Sequence, residues 1–183
     1  GTTGEPNHLA STVNTTTRLT RFMPSARLIR RRVDRSRLGE MQIDIWSDIV
    51  CPWCYLGKRR FEKALAGFEG RDDVRVSHRS FQLDPTRARG ETSRRRAMLQ
   101  SKYRLSEDQV RAMDHKMEQM AAAEGLEYHL TDAGLTGNTL DAHQLVHLAA
   151  RHGLEDKMLE RLYKAYFGEE RSVFDPDSLV ALA

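Results

Sequence analysis

Only two cysteines occur in the 183 residues of this chain. That scarcity excludes a small secreted fold stapled by several disulfides. It also leaves any zinc site short of thiolates, so histidines would have to complete the ligand set. No apolar run approaches the ~20 residues needed to cross a bilayer, so no membrane partner is expected. No apolar core of a secretory signal opens the chain either. Cysteines confined to one closely spaced pair fit a reducing compartment, and the expected location is cytoplasmic.

A strong net charge is also missing from most of the chain. The formal net charge is +3, but residues 1–40 hold eight arginines against Glu5, Asp34 and Glu40. The remainder keeps 21 basic residues (29 less 8) against 23 acidic ones (26 less 3), a net of −2. The basic character belongs to the leader, so composition gives no support for a nucleic-acid partner. Residues 1–40 are rich in Arg, Ser and Thr and have no sustained period, which predicts disorder. Such a composition can mark a transit peptide; the plainer reading is upstream sequence, with Met41 as the start.

What the chain does have is Cys51-Pro52-Trp53-Cys54, set between a strand-like run, Gln42–Asp48, and a helix-like run, Tyr55–Phe68. Two intervening residues put both sulfurs on the first helical turn, close enough to form a disulfide. The first would sit at the helix N-terminus, where free N–H groups and the macrodipole favour a thiolate. Pro52 fits there because its missing N–H has no helical partner. Cys51 is thus the candidate attacking thiolate and Cys54 the candidate resolving thiol. Pro52, Trp53 and Asp48 are the supporting residues. For Asp48, either a role as acid–base group for Cys54 or plain loop capping is open. Two alternatives to redox chemistry remain at this point: a zinc knuckle completed by histidines, and a pair of inert buried thiols. No metal site is expected.

Along the chain, Met41–Asp48 alternates apolar and polar residues, as does Val74–Phe81; with the intervening helix they predict a parallel βαβ unit. Leu56, Phe61, Ala64, Leu65 and Phe68 mark the apolar face of that helix, and His78 reads as a strand histidine. Arg87–Arg96 reads as a solvated basic connection, with contact to a substrate or an acidic partner as the alternative. From Ser93 to Gly168 the pattern is helical. Ser106-Glu107-Asp108-Gln109 is a capping box, with Leu105 and Val110 as its staple. Val110, Met113, Met117 and Met120 form a stripe expected to be core, with an adaptable substrate surface as the alternative. Asn138 can cap the next helix, whose His143 and His147 share a face. A helix over about Glu155–Phe167 should turn Met158, Leu159, Leu162, Tyr163 and Tyr166 inward, and Asp175-Pro176 opens a last one.

The stretch Ser47–Gly57 (SDIVCPWCYLG) resembles the active site of DsbA-family thioredoxin-fold oxidoreductases. Thr136–His143 (TGNTLDAH) is similar to the start of a helix in the inserted domain of the FrnE-like branch, the polyketide-biosynthesis dithiol–disulfide isomerase type. The resemblance runs from Met41 to the end. It implies an α/β fold: a thioredoxin-like βαβ with an inserted all-helical domain. The expected organisation is a leader over 1–40, a βαβ half over 41–86 and helices over 87–183. The C-terminal half of that fold, with its cis-proline loop, two antiparallel strands and closing helix, finds no counterpart. A truncated chain is therefore expected, marginal in stability or completing its sheet with a second copy as a homodimer.

The resemblance also implies thiol–disulfide exchange on a disulfide or dithiol substrate, protein or small molecule. No cofactor is expected beyond the redox-active disulfide, with glutathione as a conceivable co-substrate. Trp46, Asn138 and His143 are candidates for the substrate side, with Trp46 otherwise a core residue. Two rivals stand beside this reading. One is a glutathione-dependent small-molecule isomerase or transferase, related to hydroxychromene-carboxylate isomerase and kappa-class glutathione transferase; that group typically carries serine at the attacking position. The other is a non-catalytic binding module.

Overall fold

The computed structural model describes residues 41–183, so the expected leader lies outside the described residues. Strands β1 (Met41–Ser47) and β2 (Val74–Ser80) form a parallel two-stranded sheet, with Ile43 opposite Val76 and Ile45 opposite His78. Parallel strands need a crossover, and helix α1 (Pro52–Ala66) provides it. The helical region contains α2 (Arg95–Tyr103), α3 (Glu107–Ala123), α4 (Leu140–Ala150), α5 (Glu155–Phe167) and α6 (Pro176–Leu182).

The helical region is not wholly helical. Strand β3 (Thr92–Arg94) pairs antiparallel with β4 (Leu135–Gly137), Ser93 opposite Thr136. This short ladder ties the entry into α2 to the entry into α4. A pairing so distant in sequence leaves no local period to read.

Local signals at the helix ends hold. The Gln109 N–H donates to Ser106 Oγ at 3.2 Å, and Gln109 Oε1 accepts the Ser106 N–H at 2.8 Å, completing the capping box. Asp175 accepts the Ser178 N–H at 2.8 Å, with Pro176 in the first turn. Thr139 rather than Asn138 occupies the N-cap position of α4, but Asn138 Oδ1 still accepts the Leu140 N–H at 2.9 Å.

The core departs from the sequence pattern in three places. On α1, Leu56 is buried as expected, but Ala64 and, just past the helix, Phe68 are exposed, and Tyr55 and Lys58 are buried in their place. Lys58 Nζ lies among Glu62, Asp156 at 2.9 Å and Glu160 at 3.2 Å; three carboxylates compensate its desolvation. On α3, Val110 and Met117 are buried, whereas Met113 is exposed at the edge of a cavity. The basic connection is not fully solvated either. Arg95 and Arg96 turn inward to Asp114, which is 2% exposed, with Arg95 Nη2 at 2.7 Å and Arg96 Nε at 2.9 Å.

Aromatic rings join α1 to the helical region. Tyr55 stacks on Tyr163 at 4.8 Å, and Tyr128 on Phe167 at 4.7 Å. Leu159, Leu162 and Tyr163 are fully packed on α5, as its pattern predicts.

Candidate active site: the dithiol at the start of α1

Cys51 is the N-cap residue of α1, with extended backbone dihedrals (φ −90°, ψ 109°), and Pro52 occupies the first turn. Both thiols are free. The Cys54 thiol donates to Cys51 sulfur, and this bond is the main reason that the Cys51 pKa falls to about 7. The Cys54 and Trp53 amides of the first turn act in the same direction, against burial and the Asp48 charge. Cys54 is shifted the other way: its proton is held by the bond to Cys51 and by burial. The two sulfurs are therefore split into a ready thiolate and a reluctant one, which is the asymmetry that attack followed by resolution requires.

Asp48 sits beneath this turn. Its carbonyl accepts the Cys51 N–H at 3.1 Å and the Tyr163 hydroxyl at 3.4 Å. Its carboxylate accepts the Leu83 N–H at 2.7 Å, so it does cap a loop. The other carboxylate oxygen, Oδ1, is 3.3 Å from His143 Nε2 on α4. Asp48 and His143 are 2% and 4% exposed.

The remaining predicted residues divide. Trp53 is exposed beside Cys51 on a cavity wall. Asn138 is buried and works as a brace: it accepts from Gln82 Nε2 at 3.1 Å and donates to the Arg87 carbonyl at 2.7 Å. It thereby holds the loop that presents Leu83 to Asp48. Trp46 is 62% exposed on β1 and does not line the cavity, so its expected core role is not realised. His147 bonds Ser80 at 2.9 Å, a packing contact between α4 and β2. Among the described residues no three of His, Cys, Asp and Glu gather as a metal-binding set.

A cavity of about 530 Å³ opens beside Cys51, Pro52 and Trp53. Leu83, Met98, Leu99 and Met113 give it apolar walls, and Arg87, Arg95 and Lys102 add positive charge. Arg87 and Arg95 of the basic run do line the cavity, whereas Met98, Leu99, Lys102 and Tyr103 of α2 carried no sequence signal that set them apart.

A βαβ unit that presents a Cys-x-x-Cys pair at the N-terminus of its helix defines the thioredoxin-fold dithiol class. Within that class, the chain belongs to the family described as DSBA-like thioredoxin domain, whose model matches residues 42–183. It is 49% identical to a solved structure described as a probable DsbA oxidoreductase, SCO1869 from Streptomyces coelicolor, with a TM-score of 0.75. That match covers 78% of this chain and 61% of the other. The uncharacterized protein YwbO of Bacillus subtilis is 27% identical over 143 residues, covering 78% of this chain and 64% of YwbO. The cytosolic disulfide reductase DsbM from Pseudomonas aeruginosa, solved with GSH, shares 17% identity at a TM-score of 0.50 over 78% of this chain and 63% of DsbM; that likeness concerns the fold. The chain thus spans a little under two thirds of the length of these relatives.

Proposed function

We propose that this protein is a thiol–disulfide oxidoreductase that works through Cys51 and Cys54, of the FrnE-like dithiol–disulfide isomerase branch. The observation that carries the reading is the split between the two thiols at the start of α1, with Cys51 brought to about 7 and Cys54 held protonated. The Cys51 thiolate attacks a substrate disulfide, forms a mixed disulfide and releases one thiolate. Cys54 then attacks the Cys51 sulfur, closes the internal disulfide and releases the second thiolate. Two electrons pass from the dithiol to the substrate. A thiol such as glutathione restores the dithiol, and the same steps reversed would donate a disulfide. The substrate is a disulfide or dithiol met in the cytoplasm, and a second copy of the chain is a candidate partner for the β1–β2 sheet, which has two strands among the described residues.

The test is turnover of a model disulfide by the wild type and two variants. Cys51→Ser should abolish it. Cys54→Ser should stop after one event and accumulate a mixed disulfide at Cys51, visible by mass spectrometry. Full turnover without Cys51 would overturn the reading.

A second reading is favoured by the cavity. Its volume of about 530 Å³ lies in the range of small-molecule sites, and its walls combine apolar and basic groups. Glutathione-dependent turnover of a small molecule that survives Cys54→Ser would select that reading.

A further inference from the structure

Resting on the oxidoreductase reading, we propose that His143 is a positioning residue for the resolving step: it takes up, through Asp48, the proton that Cys54 loses.

Four buried side-chain atoms among the described residues lack a hydrogen-bond partner: Asp48 Oδ1, His143 Nε2, His78 Nδ1 and Arg95 Nη1. Two of the four face one another, since Oδ1 and Nε2 are 3.3 Å apart. A buried polar atom left unpaired costs about 1–3 kcal/mol, so two of them in contact, aligned for no bond, form an arrangement that a small ring rotation would relieve. The other carboxylate oxygen is anchored by the Leu83 N–H. Asp48 is therefore fixed on one side and has His143 as its neighbour on the other.

The chemistry needs such an outlet. Cys54 is the thiol whose proton is held hardest, by its bond to Cys51 and by burial. Resolution forms the Cys54–Cys51 sulfur bond and breaks the bond from Cys51 to the substrate sulfur, which leaves with its electron pair as a thiolate. The Cys54 proton passes to the Asp48 carboxylate and on to His143 Nε2, which restores the Asp48 charge. Near neutral pH an imidazole is a better proton store than a carboxylate.

The groups that interact with Asp48 come from three helices or their first turns. The α1 helix contributes Cys51 and Cys54, whose thiols both feel the Asp48 charge. The α5 helix contributes Tyr163, hydrogen-bonded to the Asp48 carbonyl, and Tyr166, which feels Asp48 and Arg95 together. Arg95 on α2 shares the cavity wall with Asp48 but is engaged by Asp114 at 2.7 Å. His143 itself comes from α4, so the helical region supplies the proton's destination.

The experiment uses the reduced 183-residue chain and the chromogenic disulfide dithiobis(nitrobenzoate), followed by stopped flow. A first phase, proportional to reagent concentration, releases one nitrothiobenzoate as Cys51 attacks. A second phase, independent of that concentration, releases the other as Cys54 resolves. His143→Gln should slow the second phase about 10-fold or more near neutral pH and shift its pH profile to the alkaline side, within the scale of a positioned acid–base group. The first phase should change less than about twofold, because attack by Cys51 uses no such outlet. A second phase unmoved at every pH, or both phases slowed alike, would overturn the proposal alone. A wild-type chain with no second phase would overturn the oxidoreductase reading and this proposal with it. Should His143→Gln fail to fold, wild-type protein labelled at histidine decides: the His143 ring must titrate differently in the dithiol and disulfide forms, and identical titration overturns the proposal.

Discussion

The Tyr128 hydroxyl donates to the Pro52 carbonyl at 2.7 Å, across 76 residues of sequence. Pro52 follows Cys51 directly, so this bond ties the segment after α3 to the dithiol turn. The Tyr128 ring is held by Phe167 at 4.7 Å and Tyr55 at 5.9 Å, so the hydroxyl is aimed by packing rather than by its own flexibility.

Tyr128→Phe keeps the ring and removes the bond. We expect a loss of about 0.5–1.5 kcal/mol, the usual net worth of one such bond. Urea denaturation should show a lower midpoint with an unchanged slope. Cys51 alkylation should keep its midpoint near pH 7, because the groups that lower it, chiefly Cys54, are untouched. A shifted alkylation midpoint would mean that Tyr128 shapes the turn electronically.

Removing the Cys54 thiol should make Cys51 less acidic. The bond from Cys54 is the largest influence holding Cys51 at about 7. Cys54→Ala deletes the donor, and the Cys51 alkylation midpoint should rise toward the ordinary thiol range. Cys54→Ser retains a hydroxyl donor and should give a smaller rise. The same shift affects stability. Cys51 has a depressed folded pKa, so its contribution is present above the unfolded value of 9.0 and is lost as pH falls through about 7. The reduced protein should therefore gain stability between pH 7 and 9 relative to Cys51→Ser, read from denaturation midpoints across that window. A flat difference would contradict the lowered pKa.

The dithiol and its support were legible because they rest on local rules: an alternating strand, a proline in the first turn, a capping box, two cysteines spaced by one turn. Asp48 was legible by its place three residues before Cys51. Other features have no local trace. Arg95 and Arg96 look like solvated charge until Asp114, far along the chain, is seen to bind both. Lys58 sits on α1 like any surface lysine and is buried only because α5 brings Asp156 and Glu160 to it. Trp46 looked like core on β1, and its face carries no described layer, so it is exposed. The β3–β4 ladder is three residues long on each side, too short for a period to show.

The Arg95–Asp114–Arg96 cluster gives a stability prediction. Asp114→Asn removes the charge between two arginines and leaves Arg95, already with one unpaired Nη1, in the interior. Arg96 keeps the Leu130 carbonyl at 2.8 Å, so Arg95 bears most of the cost. Breaking a buried ion pair in this way costs about 3–5 kcal/mol, enough to threaten a marginal fold. Chemical denaturation should show the loss directly. A change under about 1 kcal/mol would mean that water reaches Arg95 and compensates it.

The cavity gives a prediction about substrate charge. Of its three basic residues, Arg87 is engaged by Ser93 at 2.8 Å and Asp84 at 3.5 Å, and Arg95 by Asp114 at 2.7 Å. Lys102 sits over the exposed Tyr103 ring at 5.8 Å, at the solvent end of α2, and is the cation most available to an incoming ligand. A unit charge acts on another about 7 Å away with roughly 0.6 kcal/mol in a water-like medium, and charge reversal doubles that. Lys102→Glu should therefore slow first-phase attack on an anionic aromatic disulfide by roughly 7-fold and speed attack on cationic cystamine by a similar factor, both effects shrinking as salt is added. The ratio of the two rates isolates charge from any general loss of reactivity at Cys51. An unchanged ratio would mean that substrates approach the thiolate from the Trp53 side, away from α2, and that the basic wall serves packing alone.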